Sequence, residues 1–275
     1  METAVLTTEM DALKAKIKST WTSGDFGQIA KSYAPSAAEF VARLGFGPGE
    51  RVLDVASGTG NLAIPAAKTG ATVVGQDIAP NLLEQARAWA KKERLTIRFD
   101  ENDAEDLPYA DATFDAVITM FGAMFTPQPT VVASEMVRTC RPGGRIAMAN
   151  WTPDGFIGQM FKIVGKYAPS APGMPSPLLW GDEGIVRERF NGSVADLQFT
   201  RREINFYFPF PPAAVVECFR TYYGPTYKAF GSLDAEGQAA LEEELTAHWS
   251  AHNQSANGET RLTSEYLDVQ ATKTA

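Results

Sequence analysis

The stretch Val52-Leu53-Asp54-Val55-Ala56-Ser57-Gly58-Thr59-Gly60 carries the side chains best placed to hold a ligand. Gly58 and Gly60 permit positive φ and let a ligand approach the backbone. Val52 to Val55 is short, apolar and β-branched, which predicts a buried strand. The residues after Gly60 read as a helix. Strand, glycine turn and helix N-terminus therefore meet within about ten residues, the arrangement that holds a nucleotide-like ligand in an open parallel sheet.

Three further pieces fall at the ends of later predicted strands. Asp77 lies 17 residues after Gly60, and a carboxylate there can accept both hydroxyls of a ribose. Asn102-Asp103-Ala104 offers an acceptor for an adenine amino group at Asp103 and an amide donor at Ala104. Met120-Phe121-Gly122-Ala123-Met124-Phe125 offers soft apolar surface, which suits a sulfur-containing or planar ligand. Gly58-Thr59-Gly60-Asn61-Leu62-Ala63 also fits the G-x-G-x-x-G/A dinucleotide fingerprint, with Asp77 at roughly the spacing it asks for. On these residues an NAD-dependent oxidoreductase is an open alternative, although Asp103-Ala104-Glu105 has no role in binding NAD.

The elements that must position these groups follow from periodicity. Strands are predicted over 51–55, 71–77, 95–99, 114–120 and 145–150, with helices over about 60–69, 81–92 and 131–139 between them, Pro80 standing at a helix start. Arg141-Pro142-Gly143-Gly144 reads as a turn. Alternating strands and helices imply right-handed crossovers and a parallel sheet covered on both faces. Residues 1–48 show no strand signal. They read as an N-terminal helical cover, with helices over 8–20 and on either side of Pro35, expected to pack where the glycine turn opens. Residues 50–150 form the ligand-binding core. Residues 151–195 are proline-rich and read as an inserted cap with helices near 155–167 and 182–190. Residues 196–275 hold strands over 197–208 and 263–272, expected to pair antiparallel at the sheet edge, and helices over 212–222 and 233–250.

Bulk composition narrows the function classes. The chain has 275 residues, 44% of them hydrophobic, enough for one large α/β domain. A formal net charge of −8 argues against a nucleic-acid partner. Cys140 and Cys218 make neither a disulfide framework nor a metal pair, and read as two reduced thiols of a cytoplasmic protein. No membrane partner is expected. The opening residues Met1 to Leu6 are too short and too acidic for a signal peptide, and no run of 18 apolar residues exists.

The spacing Asp54-x-x-x-Gly58-x-Gly60, the acid at Asp77, the run Asp103-Ala104-Glu105-Asp106-Leu107-Pro108, Phe114-Asp115-Ala116-Val117 and the Arg141 to Gly144 turn together resemble the class I S-adenosylmethionine-dependent methyltransferases. The chain is most similar to the bacterial group related to the ubiquinone/menaquinone-type enzymes. The resemblance covers residues 50–150. It implies a doubly wound, mostly parallel seven-stranded sheet, a Rossmann-like fold whose last strand is antiparallel. It implies that S-adenosyl-L-methionine is the cofactor. Ala56, Ser57, Gly58 and Gly60 would line its amino-acid end, and Asp54 would orient that loop. Asp77 would hold the ribose with Ile78 against the adenine, Asp103 and Ala104 would read the adenine edge, and Met120 would sit near the methionine portion. Ala56 departs from the pattern, since many members carry glycine there. Alanine suits that position at negative φ and suits it poorly otherwise.

The sulfonium methyl is already electrophilic, so placing an acceptor in line with it supplies much of the catalysis. The sequence shows no general base and no metal site. His248 and His252 are spaced for a metal but lack a supporting motif and read as an exposed pair. Phe156, Met160, Phe161, Tyr167, Met174 and Trp180 in the cap, with Trp21 and Tyr33 opposite and Tyr222 or Tyr223 as the polar group, are expected to form the acceptor pocket. They point to a small, lipophilic or aromatic acceptor. A non-methylating S-adenosylmethionine-binding protein on the same fold is the other alternative.

Overall fold

A computed structural model describes residues 2–275, with side chains from Thr8 onward. The reading of Met1 to Leu6 therefore lies outside the described side chains. Three helices come first: α1 (Glu2–Trp21), α2 (Phe26–Ala30) and α3 (Ala34–Leu44). The core then runs β1 (Arg51–Val55), α4 (Ala63–Lys68), β2 (Thr72–Asp77), α5 (Pro80–Lys92), β3 (Arg98–Glu101), β4 (Phe114–Met120), α6 (Pro129–Thr139) and β5 (Cys140–Trp151). The remainder is α7 (Phe156–Tyr167), α8 (Glu183–Phe190), β6 (Val194–Phe208), α9 (Pro212–Tyr222), α10 (Gly224–Gly231), α11 (Ala235–His252) and β7 (Thr260–Lys273).

The strands form one seven-stranded sheet in the order β3-β2-β1-β4-β5-β7-β6. β1 to β5 pair in parallel, and β7 runs antiparallel between β5 and β6. This is the doubly wound, mostly parallel sheet implied by the motifs. The order 3-2-1-4-5 places a topological switch point beside β1, where ligands of such sheets bind. Four of the five side chains of β1 and five of the seven of β4 are buried, as central strands covered on both faces require.

Several boundaries differ from the sequence reading, and α10 has no counterpart in it; two of the differences have a clear local cause. β3 starts at Arg98 rather than Leu95, because the Leu95 amide is spent closing the end of α5 on the Ala90 carbonyl. The Arg141 to Gly144 turn lies inside β5, where the pairing with β4 shifts register between Phe114 and Ala116. Gly143 supplies the left-handed residue at φ +69°.

The N-terminal helices pack across the open ends of β1 and β4. α1 reaches both the mouth of the glycine turn and α10, where the chain comes so close that a Cβ on Gly224 would lie 2.2 Å from the Thr20 carbonyl oxygen.

Candidate active site

The turn after β1 is built around a buried carboxylate. Asp54 is 1% exposed; its Oδ2 accepts from Ser57 Oγ at 2.7 Å and from the Ala63 amide at 3.0 Å. Burial pushes its pKa up to about 7, the two hydrogen bonds oppose that shift, and neighbouring Asp77 adds to it. Asp77 ends β2 with Oδ2 on the Gly58 amide and Oδ1 on the Ala79 amide, both at 2.8 Å. Burial raises it to about 6. Two carboxylates held in this way order the loop between them and keep free lone pairs toward the cleft.

Three residues in this region are left-handed and are not glycine or have glycine for different reasons. Ala56 has φ +54°, the condition under which alanine is the poorer choice. Gly58, at φ +53°, has open space where a side chain would go, with Phe26 Cδ1 nearest at 4.0 Å, so a larger residue would fill the cleft. Gly60, at φ +88°, serves packing instead: a Cβ there would meet Ile64 Cγ1 at 3.2 Å. It does not line the cleft.

Gln76 escaped the sequence reading because a buried glutamine in an apolar strand carries no motif. Its carbonyl accepts from the Ser57 amide at 2.8 Å, its Oε1 accepts from the Ala56 amide at 3.3 Å, and its Nε2 donates to the Asn102 carbonyl. One side chain thus ties the loop after β1 to the loop after β3.

The far end of the cleft is held by α1. Lys14 Nζ lies 2.7 Å from Asp103 Oδ2 and 2.8 Å from Glu105 Oε2. Partial burial works to lower the ammonium pKa, but the two carboxylates outweigh it and hold it raised. Asp103 Oδ1 accepts from the Glu105 amide, and Glu105 accepts from the Gln128 amide and side chain at 2.6 and 2.8 Å. Lys18 pairs with Glu101 one turn further along. The sequence reading gives Lys14 no role beyond its place in the helix over 8–20.

These groups line one cleft. Asp54, Ala56, Ser57, Gly58, Asp77, Ile78, Asp103, Ala104 and Met120 line it. Lys14, Asn61, Gln76, Leu82 and Gly122 join them. Acidic groups at one end, a narrow apolar slot at Ile78 and Leu82, and an amide-rich glycine turn fit a nucleoside joined to an amino acid.

A second, apolar chamber adjoins the first. Trp21, Phe26, Tyr33, Phe121 and Phe125 line both. Met160 and Phe161 of α7, Phe206 of β6, and Phe219 and Tyr223 close the chamber. Phe121 stacks on Trp151 with ring centres 3.6 Å apart. The Tyr33 hydroxyl is hydrogen-bonded to the Asn61 side chain, and burial raises its pKa above the ordinary phenol range.

Five expected pocket residues line neither cavity: Phe156, Tyr167, Met174, Trp180 and Tyr222. Phe156 packs between α7 and α11, stacked on His248 and edge-on to Trp249. Trp180 is buried under the Arg189 guanidinium, 4.2 Å from its ring centre, beside Phe190. Tyr222 is 37% exposed and borders a separate groove on the outer face. It ends α9 at the surface, whereas Tyr223, the cap residue between α9 and α10, is buried and lines the chamber. Of the cap, therefore, α7 faces the chamber while Trp180 and α8 pack away from it. His248 is half-buried rather than exposed, its Nε2 3.1 Å from the Phe156 carbonyl oxygen, and burial lowers its pKa. Among the described residues no cluster of three or more metal-ligating side chains occurs. Nor, among them, is any helix long and apolar enough to cross a membrane.

The sheet order, with its antiparallel β7, differs from the 3-2-1-4-5-6 order of dinucleotide-binding domains and defines a methyltransferase-type fold. Residues 52–144 match the family described as methyltransferase domain. An uncharacterized protein of Mycobacterium tuberculosis is 39% identical over 236 residues, 85% of this chain and 86% of its own. The demethylmenaquinone methyltransferase of Deinococcus radiodurans is 43% identical over 117 residues, 41% of this chain and 48% of its own. The YcgJ protein of Bacillus subtilis superposes with a TM-score of 0.60 over 87% of this chain and 98% of its own, at 15% identity, a likeness of fold. The chain belongs to the class I S-adenosylmethionine-dependent methyltransferases. It is an enzyme that takes S-adenosylmethionine as its methyl donor, which sets aside the oxidoreductase and non-methylating readings.

Proposed function

We propose that the protein transfers the donor's methyl group to a small, lipophilic acceptor bound in the apolar chamber. The observation that carries this is the shared wall: five aromatic residues belong to both cavities, so the donor cleft opens onto a space that only an apolar molecule would fill. The net charge of −8 supports a small molecule over a nucleic acid, and two unpaired thiols support a reducing, cytoplasmic setting.

Bound S-adenosylmethionine supplies an electrophilic methyl group. The chain binds and orients around it. Asp77 accepts from the ribose hydroxyls while its other lone pairs hold Gly58 and Ala79. Ile78 and Leu82 flank the adenine, and Asp103 and Ala104 address its edge with Lys14 behind. Ser57 and Gly58 hold the amino-acid end, and Asp54 fixes their loop. Met120 and Gly122 bring the reacting end to the border with the chamber. There Trp21, Phe121 and Phe125 exclude water and align the acceptor, the main contribution such a site makes.

Calorimetry with S-adenosylmethionine, followed by an acceptor screen read by homocysteine release, tests both halves. Micromolar donor binding with turnover confined to apolar acceptors is expected. Turnover confined to charged, hydrophilic acceptors would sink the chamber assignment.

A further inference from the structure

Apart from Tyr33 and Tyr223, the side chains lining the apolar chamber include no ionisable group among the described residues. Both phenols are raised above their ordinary range by burial, so neither accepts a proton near neutrality. Charged groups on the surrounding elements are taken up in contacts of their own. On α1, Lys14 is held by Asp103 and Glu105 and Lys18 by Glu101. Asp25, ahead of α2, accepts from Gln28 and Gln85. Lys162 and Lys166 of α7 pair with Asp154 and Glu244. Arg220 of α9 pairs with Glu242, and Lys228 of α10 lies over the Tyr227 ring. Behind Phe121, Tyr266 accepts from Arg43, which also pairs with Asp268. His248 of α11 sits beyond Phe156 with its Nε2 on a backbone carbonyl. Asp54 and Asp77 line the donor cleft and not the chamber. Asp54 is held by Ser57 and Ala63 and Asp77 by Gly58 and Ala79, and on the reading above the donor's ribose takes the remaining lone pairs of Asp77.

An acceptor that must lose a proton during the reaction thus finds nothing to take it. Building on the reading above, we propose that the substrates are acidic phenols or thiols that enter as their anions, with the Tyr223 hydroxyl as the donor that meets the anionic oxygen or sulfur. Tyr223 lines the chamber and not the donor cleft, while the Tyr33 hydroxyl is held by Asn61. The proton is released to water before entry. In the chamber an oxygen or sulfur lone pair forms the new bond to the methyl carbon, and the pair of the broken carbon–sulfur bond stays on the donor's sulfur. An anion and a cation become two neutral products. A dry, apolar chamber favours such a step, because opposite charges attract most strongly at low dielectric and disappear as the bond forms.

4-Nitrophenol tests this directly, because its anion absorbs in the visible and its neutral form does not. In the presence of sinefungin, a donor analogue with an amine cation near the sulfonium position, it should bind as the anion. Its affinity should exceed that with S-adenosylhomocysteine, which carries no charge at sulfur, by on the order of tenfold. Tyr223→Phe should weaken that binding by about tenfold without changing sinefungin affinity. In turnover with 4-nitrophenol, 4-cyanophenol and phenol, the break in kcat/KM against pH should move with each acceptor's own pKa. Binding of neutral 4-nitrophenol, equal affinity with both analogues, or one common break for all three acceptors would overturn the proposal. Failure of sinefungin to bind at all would instead strike the donor-site reading.

Discussion

A Cβ on Gly122 would lie 2.5 Å from the Cβ of Ala56 and 2.6 Å from the Ala56 carbonyl oxygen. The ends of β1 and β4 therefore meet at the cleft with room for one methyl group, and Ala56 has taken it. Both approaches are left-handed at a residue with a side chain, Ala56 at φ +54° and Phe121 at φ +59°. Strain of this kind collects at ligand-binding turns.

Ala56→Gly should therefore raise stability by about 1 kcal/mol, since relief of the left-handed alanine exceeds the entropy glycine adds to the unfolded chain. Gly122→Ala should cost about 2 kcal/mol or more by overpacking. The pair together should recover only part of that loss, because the carbonyl conflict remains. Thermal melts of the three variants check this; a neutral Gly122→Ala would mean the two strand ends stand further apart.

Asp77→Ala should weaken S-adenosylmethionine binding by about 1–3 kcal/mol, through the ribose and through the Gly58 amide it leaves unpaired. Calorimetry reads the affinity, and a melt confirms that the variant folds. Unchanged affinity in a folded variant would refute the ribose assignment.

Stability should fall as pH rises through the range set by Asp54 and Asp77. Their folded pKa values, about 7 and about 6, lie above the ordinary 3.8, so the folded state holds protons that the unfolded state has lost. Their contribution is thus fully present below the ordinary 3.8 and is lost as pH rises through about 6 and about 7. Donor binding should run the other way, strengthening as Asp77 ionises. Denaturant melts of the free protein and calorimetry at pH 5, 6, 7 and 8 test both signs; parallel trends would show that the two carboxylates are not the titrating groups.

Lys14→Met should speed donor release, by about tenfold if both ion pairs act as one latch on α1. The wild-type release rate should rise with salt, while that of the variant should not. Stopped-flow release of S-adenosylhomocysteine at 50 and 500 mM NaCl measures it, and equal salt dependence would remove the latch.

Gln76→Leu should cost about 2–3 kcal/mol by stranding the Ala56 amide and the Asn102 carbonyl. Donor affinity should drop with it, since the two loops it joins are the two ends of the cleft.

The donor side of this architecture was legible because it is local. Asp54, Gly58 and Asp77 sit at strand ends that hydrophobic periodicity locates on its own, and each lies on the cleft wall. The acceptor side was legible only as composition. Trp21, Met160 and Tyr223 reach the chamber, but Phe156, Trp180 and Tyr222 are equally aromatic and lie elsewhere. Which helix face turns inward there depends on long-range packing, as the exposed Tyr222 and the buried Tyr223 at the α9–α10 break show. Lys14 and Gln76 gave no signal, because their partners lie 89 and 26 residues away in the chain at Asp103 and Asn102.

β7 follows β6 in the chain yet lies between β5 and β6. Its pairing runs from Trp151↔Tyr266 on one side to Phe208↔Thr260 on the other, so neither neighbour has its full hydrogen-bonding until residues past 260 have been made. Every residue lining the donor cleft lies between Lys14 and Pro127, whereas the chamber draws on Trp151, Phe206 and Tyr223. During synthesis the parallel half can close while β5 still has a bare edge, the slow and aggregation-exposed stage of such topologies. The order in which the ribosome delivers the strands is thus also the order in which the two cavities mature, with the donor's place walled first and the acceptor's only once β7 slides home.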